Sequence, residues 1–154
     1  MAVKRAVPRA IQRLERGEPG SYILEFRIER ALRIEVGKLG KFEMKPGWYY
    51  YVGSARNGLG ARLRRHSLGP GKIHWHIDYI TRILPPCRIW FVVSDQRLED
   101  RLARVVGAKC RPAVIGFGCG DSPGSETHLY YSGRSRDFAR EMSELGEARR
   151  VRVG

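Results

Sequence analysis

The stretch Gly47–His66, GWYYYVGSARNGLGARLRRH, decides how the rest of the chain is read. Its first half is aromatic and β-branched, which suits a pleated, half-buried surface and predicts a strand ending at Gly53. Asn57 is placed to cap a following helix that carries Leu59, Leu63 and the basic ridge Arg62, Arg64, Arg65, His66. Side chains alternate along a strand, so Tyr49 and Tyr51 share a face. Residues four apart on a helix are neighbours, so Arg62 and His66 share another. A phenol, a guanidinium and an imidazole are thereby predicted to converge.

Upstream, Val3, Val7, Ile11 and Leu14 recur at helical spacing until Gly17, Pro19 and Gly20 stop the pattern, predicting an amphipathic N-terminal helix and a turn. SYILEFRI, from Ser21, alternates as a strand, and ALRIEV, from Ala31, is its expected hairpin partner, followed by loops at Gly37, Gly40, Pro46 and Gly47. Downstream, CRIWFVV reads as a buried strand, and Ser94 or Asp95 is placed to cap a helix with Leu98, Leu102 and Val105. AVIGFG and HLYY are expected to be short extended pieces separated by the loop CGDSPGSET. Phe138, Met142 and Leu145 space a last helix before a basic tail. Strands and helices without a regular βαβ rhythm predict an α+β fold, with a small central mixed or antiparallel sheet flanked by helices and extra helices at both termini.

The chain has 154 residues and is 42% hydrophobic, enough for one core and one domain. No apolar run approaches a membrane span and the N-terminal segment lacks a signal-peptide stretch, so the expectation is a cytoplasmic protein with no membrane partner. Lys and Arg outnumber Asp and Glu by 29 to 16, and the excess is spread along the chain. Such a charge predicts a polyanionic partner, nucleic acid. Cys87, Cys110 and Cys119 have no paired spacing, which indicates neither a zinc knuckle nor a disulfide framework.

The convergent trio fits a phosphodiester. Attack by water develops charge on the non-bridging oxygens that a guanidinium fork matches, while a proton must leave the water for a group such as Tyr or His. His74, His76 and Asp78 make a second constellation: on a strand all three share a face, on a helix only His74 and Asp78 do. Either arrangement suits a divalent metal or a phosphate, and in the alternative Trp75, Ile77 and Ile80 pack while the histidines position the helix bearing Arg62. Trp48, Tyr49 and Tyr50 are either core or a stacking surface for bases.

Tyr51-Val52-Gly53-Ser54-Ala55 followed by Arg62 and His66 resembles the second signature of the GIY-YIG nucleases, a YIG strand and a helix with R-x-x-x-H. The first signature is matched by Gly20-Ser21-Tyr22, with Gly47-Trp48-Tyr49 as a competitor. With GWYYYVGSA, HWHIDYI and a late GFG…HLYY, the chain looks like a largely archaeal branch of that superfamily, over about Gly20 to Tyr131. The resemblance implies a nuclease domain over 20–133, between an N-terminal helical extension, 1–19, and a C-terminal helix and tail, 134–154.

Carried over residue by residue, the resemblance makes Tyr51 and Tyr22 the paired tyrosines, Arg62 the transition-state cation, His66 a base or relay, and Glu99 the carboxylate of one Mg2+ or Mn2+. The family's late asparagine has no counterpart, since Asn57 is the only asparagine, and His128 stands as the candidate in its place. His74, His76, Asp78, His128, Tyr49 and Arg65 are the candidate substrate-binding or supporting residues. The expected activity is metal-dependent endonucleolytic cleavage, of DNA in preference to RNA. The alternatives are a catalytically inactive binding module, or an accessory subunit docking a protein partner through its terminal helices.

Overall fold

The computed structural model describes residues 4–119 and 124–153. In chain order the elements are α1 (Arg9–Gln12), β1 (Gly20–Ile28), β2 (Leu32–Val36), β3 (Gly40–Met44), β4 (Gly47–Ala55), α2 (Leu59–Leu68) and α3 (His76–Thr81). They continue with β5 (Arg88–Val93), α4 (Glu99–Gly107), β6 (Arg111–Pro112), β7 (Leu129–Ser132), α5 (Ala139–Ser143) and β8 (Ala148–Arg152). The fold is α+β: a six-stranded sheet in the order β6-β7-β4-β1-β5-β8, and a separate two-stranded ribbon of β2 and β3. Every pairing is antiparallel.

β1 is central because both of its faces are apolar. Tyr22, Leu24 and Phe26 point to one side, where Leu59 and Leu63 of α2 and Ile77 and Ile80 of α3 close the core. Ile23 points to the other, among Tyr50, Val52 and Trp90, under Leu102 and Val106 of α4 and Phe138 before α5. Leu59, Leu63 and Ser67 give α2 its buried stripe at helical spacing and turn Arg62 and Arg65 to its flank.

The expected pairing of ALRIEV with β1 is not found. Both edges of β1 are taken by β4 and β5, while a single 3-10 turn, Gly37–Leu39, folds β2 back onto β3. Gly37 and Gly40 have φ of 44° and 98°, a region that favours glycine, so this segment forms its own hairpin where loops are expected. The N-terminal helix is also shorter than its periodicity suggests. It begins after Pro8, whose ring disfavours helical geometry at Val7, and Val3 lies outside the described residues.

Neither Asn57 nor Ser94 or Asp95 caps a helix: Gly58 precedes α2 and Leu98 precedes α4. Ser94 instead accepts the Gln96 N–H in a local turn. AVIGFG is a turn, with Gly116 and Gly118 at φ 83° and 72°. The loop from Cys119 to Thr127 falls partly outside the described residues. The basic tail is β8, an edge strand on β5 whose arginines suit an edge exposed to water.

Candidate functional site

β4 runs through the site and ends at it. Gly53 lies opposite Tyr22 in the β1–β4 register, and a Cβ on Gly53 would stand 2.5 Å from Cζ and Oη of Tyr22. Glycine here is a matter of space: the Tyr22 ring lies directly across the strand. Gly20 is similarly constrained, since a Cβ there would stand 2.4 Å from Leu59 Cδ2 and 2.5 Å from the Val92 carbonyl oxygen. Of the two glycine-x-tyrosine candidates, Tyr22 is the one brought to Tyr51, with ring centroids 6.4 Å apart. Tyr49 shares the face of Tyr51 but donates its hydroxyl to the Lys45 carbonyl and packs on Tyr131, away from the cleft.

The Tyr22 hydroxyl stands 2.8 Å from His66 Nε2, and both residues are buried. Burial pushes Tyr22 up to about 12, against the opposing pull of the Arg62 guanidinium. Burial and then Arg62 push His66 down to about 3. The expected convergence is therefore corrected for His66, which does not line the cleft with Tyr51 and Arg62: it is a neutral imidazole beneath the cleft floor, held under Tyr22. Tyr51 does line the cleft, and burial, Tyr22 and Glu99 hold its phenol well above the usual range.

Ser54, in the last turn of the strand, joins the two halves of the site. Its carbonyl accepts from Arg62 Nη1 at 2.9 Å, and its hydroxyl donates to Glu99 Oε1. The apolar sides of α2 and α4 pack on opposite faces of the sheet. Glu99 nevertheless meets Arg62 on one cleft, because Glu99 is the first residue of α4 and reaches round the end of β4. The cleft encloses roughly 1020 Å³ and is lined by four arginines, Arg56, Arg62, Arg65 and Arg97, and by the carboxylates of Glu99 and Asp100.

The HWHID segment divides in role. Asp78, fully buried, ion-pairs with Arg65 Nη2 at 2.9 Å and accepts the His74 and Trp75 N–H groups at 2.8 and 3.0 Å. Burial alone would raise its pKa; Arg65 and those two N–H groups outweigh it and hold the carboxyl below its usual range. His76 Nδ1 accepts the Gly118 N–H at 2.9 Å, which ties α3 to the turn beside Tyr51, and His74 is exposed. α3 thus braces α2 through the Asp78 carboxylate on Arg65, and neither histidine reaches that helix as the packing alternative had it. Among the described residues no group of three or more His, Cys, Asp or Glu could hold a metal ion.

Trp75, which one of the two readings of this segment packs with Ile77 and Ile80, is 40% exposed on the cleft wall. The Arg62 guanidinium stands 4.0 Å from its ring centroid and that of Arg65 5.2 Å. His128 is buried and continues the strand pairing through its carbonyl, which accepts the Val52 N–H at 2.9 Å; it does not line the cleft. Ser54, Trp75, Arg56 and Arg97 are the cleft residues that the sequence reading did not single out. Arg56, directly after the strand, and Arg97, two before Glu99, are the ones its motifs already flanked.

A family model for a domain of unknown function, DUF123, matches residues 21–151. The chain belongs to the DUF123 family. The match runs from β1 to β8 and takes in every cleft residue named above, so the site lies wholly within the DUF123 domain. No curated protein and no solved structure matches the chain.

Proposed function

We propose that this DUF123 protein is a GIY-YIG-type endonuclease that hydrolyses phosphodiester bonds in nucleic acid, DNA in preference to RNA. The observation that carries the reading is the meeting of Arg62 and Glu99 on either side of Ser54, in a basic cleft floored by Tyr51. A cationic fork and a hard carboxylate facing one space are what a phosphate in displacement requires. The excess of positive charge along the chain supplies the attraction for a polyanion.

Glu99, with Asp100 beside it, offers carboxylate oxygens of the kind that bind Mg2+ or Mn2+ through one or two protein ligands and substrate phosphates. Such an ion, when bound, neutralises charge on the phosphate and its leaving oxygen. Arg62 is already fixed by the Ser54 carbonyl and the Trp75 ring, and binds the charge that develops on the non-bridging oxygens. Water bonds phosphorus as the bond to the leaving oxygen breaks, and the proton the water gives up passes through solvent to the departing oxygen. Tyr51 orients that water with its hydroxyl; its surroundings favour the phenol over the phenolate. Tyr22 and His66, hydrogen-bonded beneath, hold the floor.

The same two environments favour the second reading, a nucleic-acid-binding module without catalysis, since neither the raised Tyr51 phenol nor the buried His66 is poised as a base. A panel of plasmid, branched and single-stranded DNA and RNA substrates, with and without Mg2+, separates the two. Mg2+-dependent cleavage supports the nuclease; salt-sensitive binding without cleavage leaves the module.

A further inference from the structure

We propose that Trp75 is a stacking platform for an unpaired nucleobase beside the phosphate held at Arg62, so that the substrate class is single-stranded or branched nucleic acid in preference to continuous duplex. The inference rests on the reading of the cleft as a phosphodiester site.

Of the three tryptophans, Trp90 is buried and Trp48 stacks with Arg27 elsewhere, while Trp75 alone lines the cleft. Leaving a ring of that size 40% exposed forgoes burial that the neighbouring Ile77 and Ile80 achieve completely. The ring is also fixed before any ligand arrives. Its main-chain N–H is held by buried Asp78, the same carboxylate clamps Arg65, and Arg62 and Arg65 stand over the indole. A preorganised aromatic surface loses little entropy on binding. Because Arg62 touches this ring, a phosphate on the guanidinium and a base on the indole belong to the same or adjacent nucleotides. Paired bases have no free face to offer, so a base reaching Trp75 must be unpaired or leave its stack.

The test measures binding by fluorescence anisotropy in Mg2+-free buffer with a chelator, using a labelled oligothymidylate, the same strand made of abasic residues, and a blunt duplex. Trp75→Ala is expected to weaken oligothymidylate binding roughly 5- to 150-fold, the range for loss of one stacked base, and to weaken the abasic strand and the duplex far less, by no more than the loosening of Arg62 that all three ligands share. Trp75→Phe is expected to recover most of the loss. Equal weakening on all three ligands, or none on oligothymidylate, overturns the proposal. If Trp75→Ala does not fold, quenching of tryptophan emission by oligothymidylate in Trp48→Phe supports it and the lack of quenching overturns it. Failure to cleave leaves these readouts untouched, whereas a folded protein that binds none of the three ligands overturns the phosphodiester site as well.

Discussion

The Tyr22 hydroxyl and His66 Nε2 are 2.8 Å apart in a space closed to solvent. Each group can donate or accept in this bond, and its direction follows the tautomer of the His66 imidazole. Its pKa is about 3 when folded, against 6.5 as the ordinary value. Between those values the unfolded chain binds the proton more readily, so stability rises with pH. The contribution is fully present above pH 6.5 and is lost as pH falls toward 3. One such group accounts for at most about 1.4 kcal/mol per pH unit. His66→Gln, which keeps an acceptor and does not titrate, is expected to show a shallower loss of urea stability on acidification; an unchanged slope would show that His66 is not held neutral.

Gly53→Ala tests the same pair from the other side. A methyl 2.5 Å from the Tyr22 ring forces the ring aside and breaks its contact with His66. Overpacking of this kind costs typically about 1–3 kcal/mol. Gly53 has no positive φ, so the penalty is steric and should largely disappear in Gly53→Ala with Tyr22→Leu. Thermal melts of the single and double variants measure it, and additive losses would contradict the contact.

The elements around the site were legible where the pattern is local. Alternation in SYILEFRI, the aromatic run Trp48–Tyr51 and the buried run CRIWFVV yield β1, β4 and β5, and the spacing of Leu59 and Leu63 yields α2. β8 was not legible, because ARRVR has no apolar alternation and becomes a strand only by pairing with a distant edge. The exposure of Trp75 depends on where Asp78 anchors α3 against Arg65, and the part played by Ser54 depends on α4 crossing the end of the sheet. Both are contacts between residues far apart in sequence, which periodicity does not record.

The charge of +13 predicts counterion release whether or not the protein cleaves. Plotted as log binding constant against log salt, duplex affinity should fall with a slope of roughly −5 if about six phosphates are contacted. Salt-independent binding, or its absence in an otherwise folded protein, would favour a protein partner over nucleic acid.

Glu99→Gln keeps a hydrogen-bond acceptor for the Ser54 hydroxyl and removes the charge a divalent ion needs. Cleavage should fall by roughly two orders of magnitude or more, the scale on which charge stabilisation operates, while binding in chelator is retained or slightly tighter. Magnesium titration followed by calorimetry should lose its heat in the variant. Cleavage that persists at the same magnesium concentration would remove Glu99 from the site.

Arg62 and Arg65 lie three residues apart on one helix and line one cleft, yet their surroundings assign them different work. Arg62 is held by the neutral Ser54 carbonyl and the Trp75 face, which leaves its charge directed into the cleft. Arg62→Ala should lower the cleavage rate by roughly two to three orders of magnitude with little change in binding, the pattern of a contact made in the transition state. Arg65 is the charge partner of Asp78, whose side chain is fully buried. Arg65→Ala strands that carboxylate. The His74 and Trp75 N–H groups that Asp78 retains place the cost at about 3 kcal/mol, the lower end for a broken buried pair. Arg65→Ala should thus melt earlier, and Arg65→Ala with Asp78→Asn should recover part of the loss, while turnover at temperatures where the variant is folded falls far less than in Arg62→Ala. Equal losses of rate from the two single variants, at equal folded fraction, would show that the cleft does not distinguish its arginines and that Arg62 is only one more phosphate contact.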